Sequence, residues 1–168
     1  MVTVTTFPAD DQLSWTARFE TLELRRERVD LHWTWVDATK IIIGGRDLRD
    51  WVVSAEREAV LQKSGAAGYL GLHPGEVDWT EHLLGRSPET DDDHRLEGRT
   101  LLLGCGCSDI GCWPLYANIL VDDSSVFWYD FINPHLAARG ESPYGSLGPF
   151  RFDRMSYERE LTRFAAVV

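Results

Sequence analysis

Alternating apolar and polar positions in the first third of the chain predict β-structure. The alternation over residues 13–24 changes phase once, which is typical of a strand with a bulge. A charged run at 25–28 predicts a turn, and the apolar face of 29–36 predicts the second arm of a hairpin. Residues 40–43 then predict a third short strand.

Apolar positions recur at helical spacing in two segments. The first predicted helix spans 48–63, with Asp47 as its N-cap and Gly65 as the residue that ends it. The second spans 154–167, with Asp153 as its N-cap. Each helix carries one apolar stripe and therefore needs another element to pack against.

The second half of the chain contains three more β-like runs, at 99–107, 115–121 and 126–132. Four residues, Asp-Asp-Ser-Ser, join the last two runs and predict a hairpin loop. The segment 65–98 is rich in Gly, Pro and Asp, so we expect it to be mostly irregular and to cover one side of the sheet.

This order of strands and helices predicts an α+β fold. We expect a single domain over 1–168 with a mainly antiparallel sheet of about six strands, on which the two main helices pack. A hydrophobic content of 43% is enough for a core, so disorder is expected only at the ends, with 1–12 as the candidate segment.

Charge narrows the classes of partner. The chain has 27 acidic and 17 basic residues, which gives a formal net charge of −10. A field of this sign repels phosphate backbones, so nucleic acid is not expected as a direct ligand, whereas a basic protein is a suitable partner. The sequence shows no leader peptide and no run of about 18 apolar residues, so we expect a cytoplasmic protein without membrane contact.

The three cysteines lie close together, in the stretch GCGCSDIGC at 104–112. If the loop after each strand has four residues, cross-strand register places Cys107 opposite Cys112, and Cys112 opposite His135. Cys105 falls on the same face as Cys107, so three sulfurs and one imidazole would converge. This ligand set suits tetrahedral zinc, the one candidate cofactor in the sequence.

Three other interpretations of the cysteines stay open. The sequence is also consistent with cysteines that act as small buried hydrophobic side chains, with a reactive thiolate assisted by His135, and with a disulfide. The spacing C-x-C-x4-C differs from the usual zinc pairs, and Pro114 and Pro134 interrupt the ladder on which the register argument depends. The other four histidines are predicted to lie on the surface.

A second face of the predicted C-terminal sheet combines aromatic rings with hydroxyl and amide groups. We interpret it either as packing under a helix or as a ligand or partner surface. Its candidate residues are Tyr116, Asn118, Phe127, Tyr129, Phe131 and Asn133.

Nucleotide-binding, metalloprotease and EF-hand motifs are absent, so no catalytic residue can be named. The Cys-rich turn with GCWPL, together with NPH at 133–135 and GPF at 148–150, resembles a family of small uncharacterised bacterial proteins. The resemblance implies a bacterial origin. Our leading hypothesis is a soluble acidic interaction protein without catalytic activity, and the alternative is a zinc-binding or thiol-active protein that uses Cys105, Cys107, Cys112 and His135.

Overall fold

The computed structural model describes residues 18–58, 68–88, 94–107, 109 and 111–168. Within these ranges the strands are β1 (Phe19–Glu20), β2 (Leu22–Asp30), β3 (Trp35–Ile43), β4 (Arg46–Asp47), β5 (Tyr69–Gly71), β6 (Arg95–Leu96), β7 (Arg99–Cys105), β8 (Leu115–Val121), β9 (Ser125–Ile132) and β10 (Phe150–Asp153). The helices are α1 (Leu48–Glu58), α2 (Trp79–His82), α3 (Pro134–Ala137) and α4 (Arg154–Ala165), and a 3-10 turn spans Pro143–Ser146.

Seven strands form the main sheet, in the order β1-β10-β9-β8-β7-β5, with β6 also paired to β7. Neighbours in this sheet are antiparallel except for β1, which runs parallel to β10. The α+β fold predicted from the sequence is confirmed. The described residues form ten strands, where the sequence predicted about six. Part of the difference comes from β1, β4 and β6, which have only two residues each.

Strands β2, β3 and β4 form a smaller sheet whose hairpin differs from the prediction. β2 and β3 pair along their full nine-residue lengths, so the charged run at 25–28, predicted as a turn, lies inside β2. The chain reverses at 31–34 instead, where the Asp30 carboxylate accepts a hydrogen bond from the backbone N–H of His32 at 2.8 Å. The arginines of the charged run are exposed, so water solvates them within the strand and no turn is needed.

Strand β5 joins the two sheets. It pairs with β7 in the main sheet, and just beyond it the carbonyl of Leu72 accepts a hydrogen bond from Thr39 N in β3 at 2.8 Å. A β-carbon placed on Gly71 would overlap the Thr39 carbonyl oxygen and lie 2.7 Å from the carbonyl carbon. Glycine is therefore required where the two backbones approach each other.

Helix α1 follows β4 directly and begins at the predicted residue. The Asp47 carboxylate accepts a hydrogen bond from Arg49 N at 2.9 Å, as expected for an N-cap. The described part of the helix ends at Glu58, so the predicted end at 63 and the stop at Gly65 lie outside the described residues. Within the described parts of the chain, no helix is long and apolar enough to span a bilayer.

Helix α4 closes the core over β9 and β10. Its N-cap is Asp153, as predicted, and it ends at Ala165, two residues before the predicted end. Beneath it the fully buried Trp128 donates from Nε1 to the Tyr157 hydroxyl at 2.9 Å, and this hydroxyl donates to Leu83 O at 2.6 Å. The core of this layer is therefore apolar with every polar atom of these two rings satisfied.

Two histidines that were predicted to lie on the surface are buried. His82 is fully buried, and its Nε2 donates to Leu101 O at 2.7 Å while Nδ1 lies 3.0 Å from Ser87 Oγ. His94 lies beside it, with 5.9 Å between ring centroids, and contacts Glu76 Oε1 through Nε2 at 3.1 Å. The prediction was wrong for both because interior carbonyl, hydroxyl and carboxylate groups satisfy the ring nitrogens.

Candidate metal centre

The three cysteine sulfurs converge at one end of the main sheet. Cys105 is the last residue of β7 and is paired with Tyr69 of β5, and Cys107 follows it by two positions. Cys112 lies on the return toward β8. None of the three forms a disulfide bond, and their Sγ atoms lie within 4.8 Å of one another.

Backbone hydrogen bonds shape the turn that brings Cys112 back. Gly106 N donates to Gly68 O at 2.8 Å, which extends the β5–β7 pairing past Cys105. Asp109 then organises the return: its carboxylate accepts from Gly111 N at 3.1 Å, and its carbonyl accepts from Cys112 N at 3.2 Å. An aspartate that bonds to the backbone two residues ahead is a common turn device, so local turn chemistry places the third sulfur.

The sulfurs differ in burial and in acidity. Burial raises the pKa of the Cys105 thiol to about 12. Cys107 is exposed, and its pKa is lowered because the Cys105 thiol and the backbone N–H of Asp109 donate hydrogen bonds to its sulfur. Cys107 N in turn donates to Cys105 Sγ at 3.5 Å. The cluster thus makes Cys107 a more acidic thiol than usual and Cys105 a less acidic one.

The donor set fits a thiophilic cation. Zinc binds cysteine sulfur at about 2.3 Å, and tetrahedral angles then place two sulfurs about 3.8 Å apart. Three sulfurs that already lie within 4.8 Å of one another need to approach by only about 1 Å or less to reach this geometry. Backbone N–H groups directed at sulfur, as at Cys105, help to hold thiolate ligands in place.

His135 lies beside the cluster, in the short helix α3. Asn133 caps this helix by accepting from His135 N at 2.9 Å. The ring stacks on Trp113, with centroids 6.0 Å apart and planes 5° apart, and its Nε2 bonds to Gly111 O at 2.8 Å. The structure therefore connects His135 to the cysteine turn through Gly111, and metal ligation by His135 stays a prediction.

The convergence of the sulfurs was predicted from the pairing of neighbouring strands, but this pairing ends before it reaches the cysteines. Val121 pairs with Val126, as predicted, but the pairing of β8 with β9 shifts before it reaches Ile132. β8 begins at Leu115, so Cys112 and His135 lie beyond the paired residues. The sulfurs meet through the turn and not through a continuous ladder.

A bulge in β9 divides the aromatic face that was predicted as a ligand or partner surface. The register shift leaves Asp130 without a paired residue on β8, and the backbone of this residue has a positive φ of 53°. The extra residue reverses the facing of the side chains beyond it. Phe131 therefore packs in the same core cluster as Trp128, whereas Phe127 is on the opposite side of the strand.

The six candidate surface residues have different surroundings as a result. Tyr116, Phe127, Phe131 and Asn133 are buried, and Tyr129 is half-buried. Asn118 is also half-buried and donates from Nδ2 to Asp130 Oδ2 at 2.9 Å. A ligand surface here stays a prediction. Of the six side chains, only those of Asn118 and Tyr129 are half-buried and therefore partly accessible to solvent.

Sequence reasoning missed a polar network around Tyr69, the strand partner of Cys105. The hydroxyls of Tyr69 and Tyr144 donate to Glu56 Oε1 at 2.6 and 2.9 Å and lie 3.1 Å from each other. Asn133 Nδ2 donates to the Tyr69 hydroxyl at 3.4 Å. Burial, and then the nearby Glu56 carboxylate, raises the pKa of Tyr69, which keeps this hydroxyl a donor. No sequence signal pointed to it, because its members come from four separate segments.

Thiol reactivity should follow the difference in acidity. In metal-free reduced protein at neutral pH, we expect iodoacetamide to modify Cys107 at least about thirtyfold faster than Cys105. Only the thiolate form reacts, and the thiol with the lower pKa has the larger thiolate fraction. A thiolate of lower pKa is a weaker nucleophile, but this offsets only part of the gain in rate. Peptide mass spectrometry over a time course measures both rates, with the exposed Cys112 as an internal reference. Equal rates at Cys105 and Cys107 would show that burial and hydrogen bonding do not separate them.

No family model, curated protein or solved structure matches the chain. The fold and the site define the class of the protein: an α+β protein with a cluster of three cysteines at the end of its main sheet.

Proposed function

We propose that this protein binds a thiophilic metal ion, with Zn²⁺ as the biological candidate, through Cys105, Cys107 and Cys112. The observation that carries the proposal is the mutual approach of all three sulfurs to within 4.8 Å at a turn. Thiolates select soft and borderline ions such as zinc over magnesium or calcium.

Burial supports metal binding over purely structural cysteines. A cysteine that only fills space is normally buried, as Cys105 is. Cys107 and Cys112 are exposed, yet both lie against the sulfur of Cys105. Two solvent-facing thiols grouped around a third add nothing to core packing, whereas they provide the charged part of a ligand set.

A thiol-active site is the main competing function, because the lowered pKa of the Cys107 thiol suits a nucleophile as well as a ligand. Metal content separates the two functions. Protein purified without chelators should contain about one zinc per chain by elemental analysis, and a variant with all three cysteines changed to serine should contain none. Wild-type protein that contains no metal and does not take up added zinc contradicts the metal proposal and leaves thiol chemistry.

The net charge of −10 supports a second candidate function, the binding of a basic protein. Electrostatic association weakens as salt screens the charges, since the Debye length falls from about 10 Å at 0.1 M to about 3 Å at 1 M. Binding to purified basic proteins should therefore weaken steadily with added salt. The absence of binding at low salt, or binding that salt does not affect, contradicts this candidate.

A further inference from the structure

We propose that the metal held by the three cysteines keeps its fourth position open to solvent, and that this position binds water and exchanges it for a neutral nitrogen donor of the imidazole type. The inference rests on the proposed function. Under it, the metal site exchanges a ligand with solvent and is not a closed structural site. Structural zinc sites are closed by four protein ligands, whereas sites with three protein ligands bind water or substrate at the fourth.

The set of available ligands supports an open position. Every cysteine and histidine of the sequence lies in the ranges that the structure describes. Among those residues, the group of potential ligand atoms within 4.8 Å of one another consists of the three sulfurs alone. The nearest carboxylate in the turn, that of Asp109, accepts the hydrogen bond from Gly111 N that holds the turn together.

His135 is placed to support the turn and not to bind the metal. A carbonyl oxygen can only accept a hydrogen bond, so the His135 Nε2 atom that contacts Gly111 O carries the proton, and the lone pair of the ring is on Nδ1. Neither ring nitrogen belongs to the group of ligand atoms that lie within 4.8 Å of one another. Stacking on Trp113 and the hydrogen bond from His135 N to Asn133 fix both the ring and its backbone. The imidazole thus acts on Cys112 through the neighbouring Gly111, as outer groups commonly orient metal ligands.

Exposure locates the open side. Cys105 is buried and forms the inner corner of the triad, and Cys107 and Cys112 form its solvent-facing edge. A metal bound to all three would therefore have the sheet end on one side and water on the other. A small donor can reach the ion from that outer side without displacing a core side chain.

Charge selects the class of ligand. Three thiolates around a divalent ion leave the centre with a net charge of −1, in a chain whose formal charge is −10. The negatively charged metal centre repels an anion at the fourth position, whereas it does not repel a neutral donor. At contact distance this repulsion corresponds to about a tenfold difference in affinity even in a watery environment. Imidazole should therefore bind at about one tenth of the concentration that azide requires.

Cobalt(II) substitution tests the inference, because its visible spectrum reports both sulfur ligation and coordination geometry. Full-length protein loaded with Co²⁺ is titrated with imidazole and, separately, with azide. We expect a sulfur-to-cobalt charge-transfer band from the start and a saturable change in the ligand-field bands with imidazole, at concentrations about tenfold below those for azide. His135→Ala should still show a saturable imidazole response, because this ring supports the turn and is not a metal ligand. His32→Asn, at an exposed histidine in the turn between β2 and β3, serves as its matched control.

Each alternative outcome is distinct. Ligand-field bands that do not respond to either probe show a closed site and overturn the inference. A wild type that does not respond, combined with a His135→Ala variant that does, identifies His135 as the fourth ligand and also overturns it. No charge-transfer band in the wild type overturns the proposed function itself, together with the inference that rests on it.

Discussion

Cys112→Ser protein should bind zinc at least about a hundredfold more weakly than the wild type. A serine hydroxyl stays protonated at neutral pH, so the substitution removes a charged ligand and leaves a weak neutral one. Structural zinc sites are worth roughly 10–16 kcal/mol in all, which is about 3 kcal/mol or more for each of three or four ligands. A loss of this size corresponds to about two orders of magnitude in affinity.

Cys112 is the most informative of the three positions because its side chain is exposed. Replacing the buried Cys105 would also place a hydroxyl in the core, so lost folding could be mistaken for lost binding. Circular dichroism of Cys112→Ser should match the wild type in the absence of metal. Competition with a chromogenic chelator measures the affinities.

Asp123→Ser is the matched control. Cys112 lies shortly before the start of β8, and Asp123 lies in the exposed loop just after its end. The control also introduces serine into a turn, and it removes one negative charge far from the sulfurs. It should bind zinc as the wild type does, and an unchanged affinity in Cys112→Ser would remove this cysteine from the ligand set.

Gly71→Ala should have the largest effect on stability, a loss of about 3 kcal/mol or more in the free energy of unfolding. The added β-carbon would meet the backbone of Thr39, which cannot rotate away as a side chain can. The strand must separate from β3 or strain the chain. For a protein of this size, we expect the melting temperature to fall by about 6–12 °C.

Gly75→Ala provides the comparison for this variant. A β-carbon at Gly75 would meet only the His73 ring, at 3.6 Å, which is an ordinary contact distance. We expect a change of about 0.5 kcal/mol or less there. Calorimetry of both variants decides the matter, and melting temperatures that agree within two or three degrees would contradict a close approach at Gly71.

Gly71 also connects the fold to the site. It pairs with Leu103, two residues before Cys105, and Tyr69 pairs with Cys105 itself. A displaced β5 would disturb the strand that carries the first sulfur. We therefore attribute the position of the cluster to the junction between the two sheets as well as to the turn.

The sequence was most informative where a pattern determines structure locally. Caps at Asp47 and Asp153 and a helical period defined the starts of both main helices, because an N-cap needs only neighbouring backbone N–H groups. The loop between Val121 and Val126 was also predicted correctly, since loop length determines register next to the turn.

Features that depend on distant contacts could not be predicted. The charged run at 25–28 has the composition of a turn, and only a nine-residue pairing with β3 makes it a strand. The bulge at Asp130 has no glycine to mark it, so the assignment of Phe131 to the aromatic face followed from a regular alternation that the strand does not have. Burial of His82 depends on a carbonyl 19 residues away.

The cysteine cluster was predicted with the correct sulfurs for an incomplete reason. Spacing brought the three residues into one region, and the register argument extended a ladder beyond the ends of β8 and β9. The contribution of Asp109 to the turn was not recognised, although an aspartate two residues before glycine is a turn signal. The tyrosine network with Glu56 had no local pattern at all.

X-ray absorption at the zinc edge of the zinc-loaded protein tests the central claim most directly. We predict a first shell of three sulfurs at about 2.3 Å and one oxygen or nitrogen at about 2.0–2.1 Å. A shell made only of oxygen and nitrogen atoms, or one with a single sulfur, would contradict a metal centre built on Cys105, Cys107 and Cys112.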